Sequence, residues 1–441
     1  MIEKYLVKKI TEPVDWKVTV PGSKSMTNRA LLMAVLSAGT VRVEGVLFSD
    51  DSRHFLACLV ALGFTVEIEE EKKCVTVTGC GGRIPRGEAV IDVGSAGTAA
   101  RFLAAMLGFS DGCYEIRCSA QMKRRPMAEL FDLLSGAGAK IIFLEEEGHL
   151  PVRITGCRYA RADKTAGETP REFSLDITKS TQFLSALLLI APMVPEGMKI
   201  HITSEKTDGS YIRITRKMMQ EFGVSVAFDG RDYEVPCRSS YRKETYMVEP
   251  DMSAACYFYA AAAVTGGRAL VRHVHMDNTQ GDLRFLEVLE HMGCTADDTP
   301  EGVLVTGPAD GALRGITVNM NDFSDQALTL AAIAPFADAP VRIEGIGHIR
   351  GQECDRIHAI QTNLTALGIR CEEKETAATI YPGSPHGGSV ETYDDHRVAM
   401  AFSLVGLRTD GIVIENPACC RKTFENYFTV LNELTGKTVE S

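Results

Sequence analysis

The chain has no surplus of basic charge. Its 47 Lys and Arg stand against 58 Asp and Glu, a formal net charge of −11. Nucleic-acid binders ordinarily carry a basic footprint, so the balance argues against that class. A few focused cations can still draw a small anion against a negative background. Among the 13 cysteines there is no Cys-x-x-Cys pair, and no histidine cluster has metal-ligand spacing. The thiols, including adjacent Cys419 and Cys420, are expected to be reduced in a cytoplasmic protein. His273-x-His275 is read as alternation along a strand rather than as a metal pair. The longest apolar run, Phe183 to Val194, contains Pro192 and is too short to span a bilayer. It reads as a buried helix. The N-terminus carries Glu3, Lys4, Lys8 and Lys9 in place of an apolar signal core. What remains, 45% hydrophobic and 24% charged, is a soluble globular chain with room for two or three domains.

The chain is organised around Val20-Pro21-Gly22-Ser23-Lys24-Ser25-Met26-Thr27-Asn28-Arg29. A β-like segment enters Pro-Gly and an apolar helical run leaves it. Such a turn aims first-turn N–H groups, hydroxyls and two cations at one place, which suits an anion. It is not a Walker A loop, because the glycine spacing before Lys-Ser is absent.

A pattern recurs at roughly 70–85 residue intervals. Each copy has a polar turn, an Ala/Leu-rich helix, a β-like run, and later a second helix ending in glycine. The first helices begin near Ser25, Gly97, Ser180, Ser253, Ser324 and Asp394. The second helices end around Gly63, Gly138, Gly223, Gly293, Gly368 and Gly436, where a helix C-terminus needs a left-handed residue. Apolar spacing of three and four predicts one core-facing side on each helix. The expected architecture is therefore α/β, with six repeated units grouped three per domain. One lobe would hold residues 1–19 and 249–441, the other 20–248, with the site in the cleft between them. Polar helix starts converging there would form a single anion site from residues far apart in sequence.

Each cluster at those starts is weak alone. They include Lys24, Ser25 and Arg29; Asp50-Asp51-Ser52-Arg53-His54; Gly94-Ser95-Ala96-Gly97; and Gln121-Met122-Lys123-Arg124-Arg125-Pro126. Further along stand Lys179-Ser180-Thr181-Gln182, Asp325, Glu353 with Asp355 and Arg356, Asp394-Asp395-His396-Arg397, and Arg421-Lys422. Their recurrence at one structural position is the informative feature.

Together PGSKSMTNRALL, SDDSRHFLACL, GSAGTAARFLAA, KRRPM, STQFLSALL, ECDRI, DDHRVAMAFSLVGL and RKTFENYF resemble the 3-phosphoshikimate 1-carboxyvinyltransferase (EPSP synthase) family. The motifs fall in the family's order and spacing. The resemblance implies a two-domain inside-out α/β barrel of the enolpyruvyl transferase type. It also implies transfer of the enolpyruvyl group of phosphoenolpyruvate to the 5-hydroxyl of shikimate 3-phosphate, by addition and elimination. No cofactor or metal is implied; a cytoplasmic monomer, bound to neither membrane nor nucleic acid, is expected. Residue by residue, it places Lys24, Ser25, Arg29, Ser180, Thr181, Gln182, Tyr211 and Asp325 on shikimate 3-phosphate. Lys24, Gly97, Arg125, Gln182, Arg356, Arg397 and Lys422 would surround phosphoenolpyruvate. Asp325 would be the base for the 5-hydroxyl. Glu353 would handle the methylene proton, with Lys24 as a competing acid and His396 in support.

The chain departs from the family at Ser95, Gln121, Thr181, His348, Gln352 and Asp208. The last two lower positive or neutral character where the 3-phosphate should sit, and Arg213 or Lys206 could compensate for Asp208. Two alternatives share the fold. In the UDP-N-acetylglucosamine carboxyvinyltransferase an active-site Cys precedes the Arg-Pro, and Cys118 lies at the wrong distance from Arg125-Pro126. A catalytically inactive anion-binding relative would be expected to lack Asp325, Glu353 or Lys24, and all three are present.

Overall fold

The computed structural model describes residues 3–157, 169–309 and 312–436. The chain divides into two compact units, one of residues 1–21 and 250–441, the other of residues 22–249. It passes from one to the other at Pro21–Gly22 and again at Glu249–Pro250.

In the unit of residues 22–249 the strands form three sheets of one design. Thr245–Met247 lies parallel to Thr40–Glu44, Glu88–Asp92 to Cys113–Arg117, and Arg171–Leu175 to Met198–Ile202. Each second strand continues antiparallel into a pair of strands, for example Cys74–Thr78 and then Thr65–Glu69. The other unit repeats the design. Asp15–Val18 is parallel to Arg268–Arg272, Thr317–Asn319 to Val341–Glu344, and Gly388–Val390 to Ile412–Glu415. In its last sheet the antiparallel neighbour is Lys4–Leu6, from the opposite end of the chain.

A parallel pair needs a crossover, and here the crossovers are helices. Gly97–Gly108, Thr181–Ile190, Ala327–Ile333 and His396–Arg408 each connect the two parallel strands of their own sheet. At the two passages between units the connection differs. The strand pairing with Thr40–Glu44 is Thr245–Met247, and the strand pairing with Arg268–Arg272 is Asp15–Val18. Both sheets are thus closed by a strand from far along the chain.

The Ala/Leu-rich helices are buried on every side, not on one face as the spacing predicts. Every residue of Gly97–Gly108 is buried, as is every residue from Met26 to Leu36 and from His396 to Leu407. A helix apolar all round belongs inside a core. The one-sided pattern holds for the second helices, such as Ser210–Glu221, which buries Ile212, Ile214, Thr215, Met218 and Met219. The run from Phe183 is the body of the Thr181 helix, followed by a 3₁₀ turn at Ala191–Met193. Among the described residues no helix is long and apolar enough to cross a membrane. The His273-x-His275 expectation fails: the strand ends at Arg272, and His273 takes a left-handed φ of 64°. His275 instead pairs with Asp298 at 2.8 Å.

The glycines closing the second helices, Gly63, Gly138, Gly223, Gly293, Gly368 and Gly436, all take positive φ. At Gly223 φ is 91° and a Cβ would meet nothing within 4 Å, so only backbone strain opposes a side chain there. Gly223→Ala is therefore expected to lower the unfolding free energy by about 1–2 kcal/mol, and Gly223→Asn by less. Urea denaturation measures both; equal stability of Ala and Gly at this site would refute the strain argument.

Candidate active site

In the unit of residues 22–249, the turn before Lys24 is held by Ser23 N–H donating to the Glu249 carbonyl at 2.8 Å. Lys24 opens its helix with Nζ 3.3 Å from Asp51 Oδ2. Asp51 lies in the first turn of the helix Asp50–Ala61, whose start Ser49 caps. Behind Lys24, Arg29 is wholly buried. Its Nη1 donates to the Ser25 carbonyl at 2.9 Å, its Nε to Thr215 Oγ1 at 2.8 Å, and its Nη2 to Ser185 Oγ at 3.3 Å and the Tyr211 carbonyl at 3.2 Å. The guanidinium also faces the rings of Phe102 and Tyr211, 5.2 and 5.8 Å away. One cation thus ties the starts of the Lys24 and Ser210 helices to the Thr181 and Gly97 helices. Burial among neutral acceptors pulls its pKa down to about 10.

The Gly97 helix starts beside two arginines. A Cβ at Gly97 would come within 3.0 Å of Arg125 Cζ and 2.9 Å of Arg101 Nη1. Glycine is what lets the Arg125 guanidinium approach this helix N-terminus. Thr98 Oγ1 donates to Gln182 Oε1 at 3.4 Å, joining the Gly97 and Thr181 helices, while Ser180 accepts from Gln182 N–H as the N-cap of the second. Lys24, Ser25, Gly97, Arg125, Ser180, Thr181, Gln182 and Tyr211 thus lie at helix starts of this unit or on the turns beside them, with Arg29 one turn into the Lys24 helix.

The other unit gathers the remaining expected residues into one ionic cluster. Arg356, 1% exposed, is its centre. Nη1 donates to Asp325 Oδ1 at 2.9 Å, Nη2 to Glu353 Oε2 at 2.9 Å, and Nε to Asp395 Oδ2 at 2.8 Å. The second oxygen of Asp325 accepts from Arg397 Nη2 at 3.0 Å, and the second oxygen of Glu353 lies 3.1 Å from Lys422 Nζ. Burial opposes the charge on Arg356, but the carboxylates of Asp395, Glu353 and Asp325 outweigh it and drive its pKa up. His396 is 1% exposed with Nδ1 3.7 Å from Asp395 Oδ1.

Several participants lie outside the expected set. Asp395 caps the His396 helix by accepting from Arg397 N–H at 2.9 Å while also holding Arg356. It stands inside a quoted motif, and that double duty is visible only in three dimensions. Ser253 and Asp282 continue the cluster beyond Arg397, and nothing in the surrounding sequence marks Asp282. Gln352 contacts Arg356 Nη1, and His348 Nε2 lies 2.8 Å from Ser324 Oγ. Asp208 has the compensation it needs: Arg213 Nη1 is 2.9 Å away, and Tyr233 donates its hydroxyl at 3.2 Å. Burial pushes the Cys118 thiol up to about 11, the opposite of what an activated nucleophile requires.

The comparisons with known proteins agree with one another. Residues 8–431 match the family described as EPSP synthase (3-phosphoshikimate 1-carboxyvinyltransferase). A protein of that name from Trichormus variabilis is 41% identical over 97% of this chain and 98% of its own length. One from a Sulfurovum species is 39% identical over 96% of this chain and 97% of its own. The solved EPSP synthase of Acinetobacter baumannii superposes with a TM-score of 0.79 at 25% identity, covering 99% of this chain and 98% of that one. Similar to these relatives along nearly its whole length, the chain belongs to the EPSP synthase family.

Proposed function

We propose that this protein transfers the enolpyruvyl group of phosphoenolpyruvate to the 5-hydroxyl of shikimate 3-phosphate, releasing phosphate, and that the two residue sets described above serve this one substrate pair. The observation that carries the assignment of roles is the cluster around Arg356. It brings Asp325, Glu353, Arg356, Arg397 and Lys422 together from separate stretches of sequence, with each carboxylate held between two cations.

Asp325 accepts the proton of the 5-hydroxyl as that oxygen attacks C2 of phosphoenolpyruvate. Its two oxygens are fixed by separate arginines, which orients the carboxylate. Glu353 exchanges the proton at the methylene carbon, with Lys24 as the competing acid and His396 supporting the network. Arg125, Arg356, Arg397 and Lys422 are assigned to the carboxylate and phosphate of phosphoenolpyruvate, as are Gly97 and Gln182. Arginine suits planar groups that accept two hydrogen bonds. Lys24, Ser25, Ser180, Thr181, Gln182 and Tyr211 hold shikimate 3-phosphate, and Arg29 is the buried floor under Ser25. The tetrahedral intermediate then loses phosphate, the preorganised cations stabilising the charge that develops. The repeated sheet design supports an inside-out α/β barrel of six units, three to a domain. A monomeric cytoplasmic enzyme completes the reading.

Inorganic phosphate release from phosphoenolpyruvate tests this directly. It should require shikimate 3-phosphate and fall by about 10²–10⁴-fold in Asp325→Asn, the range of a lost general base. Release independent of the acceptor, or full turnover in the variant, would overturn the reading. Gly97→Ala should push the Arg125 guanidinium from the helix start. The expected result is about a tenfold rise in KM for phosphoenolpyruvate, equal to about 1.4 kcal/mol, with KM for shikimate 3-phosphate nearly unchanged. An unaltered KM for phosphoenolpyruvate would reject the placement.

A further inference from the structure

The cluster around Asp325 continues inward to a second carboxyl. Asp282 sits in the 3₁₀ turn Gly281–Arg284 and is 8% exposed. The Ser253 hydroxyl donates to its Oδ2. Ser253 Oγ in turn accepts from Arg397 Nη2 at 3.4 Å, the same nitrogen that donates to Asp325 Oδ2 at 3.0 Å. The polarity runs one way, from the Arg397 N–H through the Ser253 O–H to Asp282. Asp325 and Asp282 therefore compete for one cation.

The turn carrying Asp282 is fixed in place. Gln280 Nε2 donates to the Pro250 carbonyl at 2.7 Å, and its Oε1 accepts from Met252 N–H at 3.2 Å, tying the turn to the start of the Met252 helix. Among the described residues, the ionisable groups that face Asp282 include Asp325, Arg397 of the His396 helix, Asp251 at the N-cap of the Met252 helix, and the Cys256 thiol of that helix, 3.7 Å from the Asp282 carbonyl. Burial, with the nearby charges of Asp325 and then Asp251, pushes the Asp282 carboxyl up to about 7 against the pull of Arg397.

We infer that Asp282 is a positioning residue that sets the proton affinity of Asp325 through Ser253 and Arg397. Ionised, Asp282 draws Arg397 toward Ser253 and adds negative charge behind Asp325, making Asp325 the stronger base. Protonated, it withdraws that charge and leaves Arg397 to Asp325, weakening the base. Turnover should therefore rise through the ionisation of Asp282 as pH increases.

The inference rests on the enzymatic reading above. The test is kcat and both KM values of the full chain from about pH 6 to pH 8, by phosphate release, for wild type, Asp282→Asn and Ser253→Ala. Wild-type kcat should rise across this range. Asp282→Asn should be flat at the wild type's acid-side level, about tenfold below wild type at the alkaline end. Ser253→Ala, which keeps the carboxyl's charge, should rise by no more than about threefold, with KM for shikimate 3-phosphate held within about twofold in both. Variants that keep the wild-type pH profile would overturn the inference. Ser253→Ala keeps the carboxyl and removes only the link, so it decides the matter if Asp282→Asn fails to fold. Absence of wild-type turnover would instead sink the enzymatic reading itself.

Discussion

One guanidinium determines the chemistry of the unit that contains both chain ends. Arg356 is almost completely enclosed and meets the carboxylates of Asp325, Glu353 and Asp395 at 2.8 to 2.9 Å. Buried carboxylates repel one another and resist desolvation, so a cluster of this kind holds only around a cation that reaches all of its members. A planar fork with donors pointing three ways does this, and the compact ammonium of lysine would not. Arg397 and Lys422 then occupy the outer oxygens of Asp325 and Glu353. The candidate acid–base groups are thereby held in place by the protein's own cations.

The other unit solves a related problem differently. Arg29 is buried among hydroxyls, carbonyls and aromatic rings. It acts as a rivet between helices whose first turns must all face one way. Helix starts favour anions only if they are held in register, since the dipole effect fades within a turn. Glycine at position 97 serves the same end by letting Arg125 reach the start of its helix. Each unit thus holds what its local folding makes easy: helix N-termini and hydroxyls in one, an ionic cluster in the other.

Much of this is written in the local sequence. The recurring Ala/Leu-rich helices and the glycines that close their partners announce themselves, because helix stops depend on short-range backbone constraints. The residues at the polar helix starts are legible for the same reason. The all-round burial of the Lys24, Gly97 and His396 helices is not, since it depends on which sheets cover them. Strand partners are also hidden: Lys4–Leu6 pairs with Ile412–Glu415 from the other end of the chain. The double duty of Asp395, the compensation of Asp208 by Arg213, and the link from Asp325 to Asp282 all arise from contacts across elements. No spacing rule encodes such contacts.

The central claim is that Arg356 makes the clustered carboxylates tolerable. Unfolding free energy of Arg356→Met against wild type, measured by denaturant as a function of pH, tests it most directly. Without the guanidinium, burial favours protonated carboxyls in the folded protein. The variant's deficit should then be about 3–5 kcal/mol near neutral pH and should shrink as pH falls toward about 4, where the carboxyls take up protons. A variant as stable as wild type at neutral pH, or a deficit that does not change with pH, would contradict the account.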